Sequence, residues 1–334
     1  MLCIRVPKKE AEPVKIELIS KDLLDKEYRL VKDKEFVYFP IKKRFDTGYE
    51  LVNKFVKRKP LQTGLRAALS AKLSKEELEL LKSSMDIIGS IAILEIPKEL
   101  ERREKLIAGE ALRTNKNIKT VLKKGKHEGI FRTQKLEHLA GEKTKEASYK
   151  EHGVILKLDV EKVYFSPRLS NERKRVYEQV KKGEEVLVMF SGCSPYTCVI
   201  AKNTPAKSVT GVEINPTAHN YALQNMLLNK LSNVNVFLGD VKHIIPKLKK
   251  KYDRIIMPLP KSAADYLDVA FKAAKKGAII HFYDFQREGE EKKSVEKIRK
   301  ACKLAKKKCK IMGIVKCGQA SPREFRICID FEMT

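Results

Sequence analysis

Past residue 170 the chain repeats one pattern five times: a strand-like apolar run followed by a stretch of helical periodicity. The runs are EVLVMF, SVTGVEI, VNVFLGD, RIIMPL and AIIHFYDF, and the helical stretches fall at about 171–180, 196–203, 216–229, 241–249, 262–275 and 291–308. Strands joined through helices lie parallel, because the crossover needs a dozen or more residues. The pattern then breaks. KIMGIVKCG and FRICIDFEM are separated only by QASPRE, so the last two strands form an antiparallel hairpin. The expected fold is α/β, a doubly wound sheet finished by a C-terminal hairpin.

The first half is organised differently. Residues 1–57 read as a small α+β domain, with strands LCIRV, YRLV and FVYFPI and a helix near Val14 to Leu23; residues 58–66, basic and broken by Pro60 and Gly64, read as a linker. Residues 67–160 make a middle domain. It has a helix at 75–83 opened by a Ser74/Glu77 capping box and a Leu73/Leu78 staple, then IIGSIAILEIP, a helix at about 98–114, and basic strand-like text closed by VILKLDV. Residues 161–334 carry the alternating pattern.

Lys and Arg total 70 against 43 Asp and Glu, a net charge of +27. A Lys/Glu-rich surface suited to heat explains many charges but predicts balance. An excess of cations spread through folded sequence suits a polyanion, and nucleic acid is the commonest one. The chain has no apolar run of about 18 residues and no apolar signal core, so a cytoplasmic protein away from membranes is expected. Seven cysteines without C-x-x-C pairing point away from a disulfide scaffold and from zinc. Cys302 and Cys309, seven apart, are expected on one face of a helix as core thiols.

The first run of the alternating half ends in FSGCSP, a strand, tight turn and helix with one glycine, Gly192, where phosphate-cradling loops carry two or three. The next strand ends in Glu213 and the third in Asp240. Ligands of open α/β sheets sit at the carboxyl ends of the strands, so these groups converge on one crevice. A carboxylate at Glu213 can accept both hydroxyls of a ribose, and one at Asp240 can accept an adenine amino group. Adenosine without a demanded phosphate is the implied shape, and the missing glycines and terminal hairpin disfavour a nicotinamide enzyme.

Around these groups stand VYFSPRLSNERKRV (163–176), FRTQKLEHLAGE (131–142), MFSGCSPY, GVEINP, LGDV, IMPLPK and SPREF. Together they resemble the archaeal and eukaryotic tRNA (guanine-37) N1-methyltransferases over nearly the whole chain. The resemblance implies a class I methyltransferase Rossmann-like sheet, S-adenosyl-L-methionine as cofactor, tRNA as partner, and a small tRNA-docking domain at the N-terminus followed by an RNA-binding middle domain. It places Phe165, Arg168, Phe190 and Gly192 at the cofactor, with Glu213, Ile214, Asp240 and Val241 from the following strand ends. Tyr164, Pro258 and Arg323 are the implied substrate contacts. Three positions depart from the family's pattern: Val188 stands where an Asp is usual, Ser194 where a second glycine is, and Pro258 where an Asn is. Proline offers neither a side-chain hydrogen bond nor an N–H.

Guanine N1 carries a hydrogen, so its methylation needs a base for that proton and a donor for charge growing on O6. Glu172 is the candidate base and Arg132 the candidate donor, roles that the resemblance favours over a helix-terminal carboxylate and a solvated cation. His138, flanked by apolar residues, reads as structural, and no metal is required. A site without the Asn suits a larger base. The sequence resembles archaeal forms with two activities, which also methylate carbon 7 of the tricyclic wyosine precursor 4-demethylwyosine. Aminocarboxypropyl transfer to that precursor, and RNA binding without catalysis, are the alternatives.

Overall fold

The computed structural model describes all residues except 26, 58–63, 82–84, 129–130, 132 and 322, and leaves out the side chains of 126–128 and 320. Most of the stretch expected to be a linker lies outside the described residues. The chain divides into two compact units, Met1–Ser74 and Lys75–Thr334.

The first unit is built on a four-stranded antiparallel sheet in the order Val31–Lys32, Phe36–Pro40, Leu2–Pro7, Glu50–Asn53. Helix Ala11–Ser20 turns Val14 and Leu18 into a core with Ile4, Val6 and Phe39.

The second unit centres on seven strands: β1 (Glu185–Met189), β2 (Ser208–Glu213), β3 (Val234–Leu238), β4 (Tyr252–Met257), β5 (Ala274–Arg287), β6 (Cys309–Ser321) and β7 (Glu324–Met333). They lie in the order β3-β2-β1-β4-β5-β7-β6. Strands β1 to β5 are parallel, β7 runs antiparallel to β5, and β6 antiparallel to β7. The strand order reverses between β1 and β4, which opens a crevice at their carboxyl ends. Helices α1 (Ser170–Tyr177), α2 (Pro195–Asn203), α3 (Pro216–Leu228), α4 (Val241–Lys247), α5 (Leu267–Ala273) and α6 (Glu291–Leu304) belong to this half.

Covered on both faces, β1 is a continuous apolar run: Val186, Leu187, Val188 and Met189 are each 0% exposed. Burial of such side chains contributes about 1.5–3 kcal/mol apiece. Val188 packs with Val199, Tyr196 and Ile256 in that core, so this departure from the family's pattern serves packing.

The terminal hairpin is present as expected, but the helices expected at 171–180, 241–249, 262–275 and 291–308 all end earlier than their sequence suggests. A 3-10 turn over Ala263–Tyr266 precedes α5, and β5 already begins at Ala274. Helix α6 stops at Leu304, followed by Lys306 in the left-handed region at φ 50°. Cys302 is therefore a buried helix residue while Cys309 opens β6; they do not share a helix face. All seven cysteines are free. No helix among the described residues is long and apolar enough to cross a membrane.

Ahead of β1, strands Asp86–Ile88, Ile91–Leu94, Thr120–Glu128 and Thr133–Gly141 form a sheet in that order. A separate hairpin pairs Glu146–Glu151 with Val154–Asp159. The outer edge of that hairpin would leave backbone groups unpaired, and α3 and the residue capping its C-terminus supply the partners. Asn225 accepts from Lys157 N at 2.7 Å and donates to Lys157 O at 3.0 Å; Asn229, one turn on, does the same for Ile155 at 2.8 and 2.7 Å. Two side-chain amides thus extend the ladder as a neighbouring strand would and lock the hairpin onto the α/β half.

Candidate active site

At the carboxyl end of β1 the chain turns through Phe190–Ser194. Three of these five residues adopt left-handed backbone: Phe190 at φ 58°, Gly192 at φ 59° and Ser194 at φ 67°. Only one is glycine, so the other two carry strain of the order of 1–3 kcal/mol each, the kind retained where a site needs it. The turn is held across the sheet. Ser191 N donates to Val212 O at 2.9 Å, and Gly192 N donates to Glu213 Oε2 at 2.6 Å. The other carboxylate oxygen accepts from Asn215 N at 2.8 Å. Burial pushes the Glu213 carboxyl up, with the backbone N–H groups of Asn215 and Gly192 working against it. Each oxygen keeps a second lone pair, so a pair of hydroxyls can still be accepted.

Beside it Ile214 leaves 43% of its surface exposed, an apolar shelf at the strand end, while Val241 is buried. Asp240 caps α4 through Oδ1, which accepts from Lys242 N at 2.8 Å, and Oδ2 stays outside the cap. The ring of Phe190 meets Tyr266 edge to face at 4.9 Å. Pro258 follows β4 in a tight turn closed by Leu259 N donating to Met257 O at 2.8 Å.

A cavity of about 230 Å³ lies next to this crevice, among the sheet that precedes β1, the Tyr164–Arg168 segment and the β6–β7 hairpin. Tyr164, Phe165, Phe285, Arg168, Arg326 and Gln134 are in its wall. Arg326 donates to Tyr164 Oη at 2.9 Å and lies 5.4 Å from the centre of the Phe285 ring; among the described residues its buried Nε has no partner, and neither does Gln134 Oε1. Arg168 is tied to Asp86 at 2.7 Å. The main chain of Tyr164 connects the two places, since a Cβ on Gly192 would lie 3.7 Å from Tyr164 O.

Glu172, on α1, is buried. It receives Arg175 Nε on Oε2 at 2.7 Å, Arg175 Nη2 on Oε1 at 2.8 Å, and the Tyr283 hydroxyl on Oε1 at 2.6 Å. Tyr283 and Phe285 are two apart on β5 and share a face, opposite Cys328 and Arg326 of β7. Phe285 and Arg326 wall the cavity, so Tyr283 anchors Glu172 about one pleat repeat, roughly 7 Å, further along.

The structure thus gathers Phe190, Gly192, Glu213, Ile214, Asp240, Val241 and Pro258 at four adjacent strand ends, with Tyr164, Phe165 and Arg168 alongside in the cavity wall. Arg323 is not among the wall residues; it sits exposed in the β6–β7 turn at φ 62°. Arg132 lies outside the described residues, although Thr133 and Gln134 after it border the cavity. His138 Nε2 lies 3.1 Å from Gly141 O. Sequence reading missed Arg175, Tyr283, Arg326 and Asp330. Their signal was polar residues inside strand text: Tyr283 in AIIHFYDF, Arg326 and Asp330 in FRICIDFEM.

Comparison with known proteins agrees along the whole length. Residues 147–312 match the TRM5/TYW2 methyltransferase domain, residues 65–144 the TYW2 N-terminal domain and residues 3–50 the tRNA methyltransferase 5 N-terminal domain. The tRNA (guanine(37)-N(1))-methyltransferase Trm5b of Pyrococcus abyssi is 39% identical over 338 residues, covering 100% of this chain and 99% of that protein. The chain belongs to the TRM5/TYW2 methyltransferase family. Another member, the tRNA (guanine(37)-N(1))/4-demethylwyosine(37)-methyltransferase Taw22 of Nanoarchaeum equitans, is 35% identical over 302 residues, with 74% of this chain and 98% of that one covered. Among solved structures, Methanocaldococcus jannaschii Trm5 in complex with adenosine matches with a TM-score of 0.71 at 30% identity, covering 100% of this chain and 99% of that one.

For a TRM5/TYW2 protein the cofactor in question is S-adenosyl-L-methionine, and the residues present fit its adenosine part. Glu213 is oriented by two backbone N–H groups with lone pairs to spare, Ile214 offers an apolar face, and Asp240 Oδ2 is outside its cap.

Proposed function

We propose that this TRM5/TYW2 methyltransferase transfers a methyl group from S-adenosyl-L-methionine to N1 of guanine at position 37 of tRNA, and that it also methylates carbon 7 of 4-demethylwyosine at that position. Such a substrate places it in the cytoplasm. The observation that carries the reading is the Tyr164–Phe165 segment. Its main chain abuts Gly192 of the strand-end crevice, and its side chains wall a cavity one repeat from the anchored Glu172.

When bound, the cofactor supplies an electrophilic methyl on a sulfonium, which departs as a neutral thioether. The protein's task is to place the base and take its proton. As N1 gains the methyl it loses its hydrogen, and Glu172 accepts it, passing from carboxylate to acid. Oε2, with one donor against two on Oε1, is the freer oxygen. Arg132 keeps, in this reading, the role of donor to O6. Tyr164 and Phe165 present flat faces to a base, and Arg326 Nε and Gln134 Oε1 offer an unpaired donor and acceptor to its edges.

Pro258 bears on the second substrate. It puts no polar side chain at the end of β4, where an Asn would anchor one pose of the base. Pro258→Asn is expected to keep guanine N1 methylation and to shift the product ratio against carbon 7 by about tenfold, the effect of ~1.4 kcal/mol between two poses. Mass mapping of nucleosides from tRNA carrying each base, with wild type and variant, is the test. A wild type that leaves the tricyclic base untouched, or a variant that changes both reactions in parallel, leaves only the guanine activity standing. An aminocarboxypropyl adduct in place of methyl would overturn the reaction type.

The net charge of +27 predicts binding to tRNA that weakens steeply with salt. Log affinity should fall linearly with log salt, by about 0.7 per neutralised phosphate on the single-strand scale. A flat response in filter binding across a salt series would contradict the RNA assignment.

A further inference from the structure

We infer that Asp330, acting through Arg175, sets the basicity of Glu172. This rests on the reading of Glu172 as the base at N1 and adds a positioning residue from β7. The Arg175 guanidinium is shared between two carboxylates. One edge serves Glu172; toward the other, Nη1 donates to Asp330 Oδ2 at 2.5 Å and Nη2 to Asp330 Oδ1 at 3.2 Å.

The charge count of this trio, two buried carboxylates around a guanidinium a quarter exposed, decides its chemistry. With both acids ionised, Glu172, Arg175 and Asp330 sum to −1, and taking one proton makes the trio neutral. Without Asp330 the pair Glu172–Arg175 is neutral, and taking a proton leaves a partly buried cation on Arg175. Burial disfavours charge. Asp330 therefore offsets the charge of Arg175, so that when Glu172 takes the N1 proton the trio ends neutral.

Asp330 is itself held ionised. Burial pushes its carboxyl up, but the hydrogen bonds from His281 and Arg175 outweigh this and hold it well below the usual carboxylate range. His281 Nε2 meets Arg254 Nη1 at 2.8 Å, and a guanidinium can only donate, so Nε2 is the acceptor and Nδ1–H donates to Asp330 Oδ1 at 2.7 Å. The imidazole is neutral, and burial pushes its pKa down. Arg254 ends the chain on Glu184 at 2.8 and 3.1 Å.

His281, Cys328 and Asp330 present ligand atoms within 4.8 Å of one another. Both ring nitrogens and both Asp330 oxygens are engaged, however, and two guanidinium groups touch them. The cluster is an anchor for Arg175 and does not suit a cation. Among the described residues, the other ionisable groups near Glu172 include Tyr283 from β5, Tyr196 from α2, Cys317 from β6 and Cys328 from β7, all raised by burial and so neutral; Arg173 is spent on Glu151.

The experiment is the pH profile of single-turnover methylation of a guanine-37 tRNA, with calorimetry of S-adenosyl-L-methionine binding to report an intact fold. Asp330→Asn is expected to move the acid limb to lower pH by about one unit and to lower the plateau roughly three- to tenfold. Asp330→Glu should leave the limb in place. Arg175→Gln should move it the other way, to higher pH. A plateau loss in Asp330→Asn with the limb unmoved, or limbs of the two variants moving in the same direction, overturns the inference. Should Asp330→Asn yield no folded protein, Arg175→Gln decides: a limb that stays or moves down overturns it. Glu172→Gln separates the two levels. Wild-type rate in that variant removes Glu172 as the base, whereas a strong loss there with an unresponsive limb in the others removes only the role of Asp330.

Discussion

Glu172→Gln is expected to slow guanine N1 methylation by about 10²–10⁴-fold, the loss typical of a removed general base. Glutamine keeps the shape and one acceptor for Arg175 and Tyr283, and Asp330 still holds Arg175, so the local structure has reason to persist. Affinity for S-adenosyl-L-methionine should barely change, because Glu172 bonds none of Gly192, Glu213 or Asp240. Single-turnover rates and calorimetry on the same preparation check both halves. Parallel loss of binding and turnover would mark the residue as structural.

The second large effect concerns stability. Arg173 and Glu151 form a two-pronged pair at 2.6 and 2.7 Å, each side chain 2% exposed. Removing one partner strands a buried charge, and Glu151→Ala should destabilise the second unit by about 3–5 kcal/mol. Replacing both, Glu151→Leu with Arg173→Met, should restore most of that loss, because it also removes the desolvated charges. Urea unfolding followed by circular dichroism reads the difference. The pair has a second use: Arg173 Nη2 donates to Ser166 O at 3.3 Å, and its guanidinium lies 5.2 Å from the centre of the Phe165 ring. The double variant should therefore fold and yet bind cofactor and tRNA less well, since the segment joining crevice and cavity loses its support. Equal destabilisation of the single and double variants would show that the burden is packing and not charge.

Periodicity carried the fold far. Five apolar runs with helices between them and a short final link dictate five parallel strands and a hairpin, because chain geometry leaves few other ways to connect them. What escaped was where a helix yields to a strand. Ala274 begins β5 and Leu304 ends α6 with no proline or glycine to mark either place, so tertiary pairing alone sets those limits. At the site, residues at strand ends were legible, since a turn follows each and their chemistry stands at the end of an apolar run. Glu213 and Gly192 could be placed at one crevice, but their mutual bond could not be foreseen. Nor could the loop's left-handed Phe190 and Ser194, because neither residue type advertises positive φ. The Glu172 network was hidden for a different reason. It joins α1 to β5 and β7, residues more than a hundred apart in the chain, and only the sheet order brings them together. Arg323 shows the converse: a motif residue in the hairpin turn need not face the cavity its neighbours build.

Methylation of N1 of guanine 37 is tested most directly by nucleoside mass mapping of a tRNA transcript after incubation with the protein and S-adenosyl-L-methionine. The expected result is 1-methylguanosine at position 37, absent when that base is replaced by adenine and greatly reduced with Glu172→Gln. Methylation at another position, or at another atom of guanine 37, would contradict it.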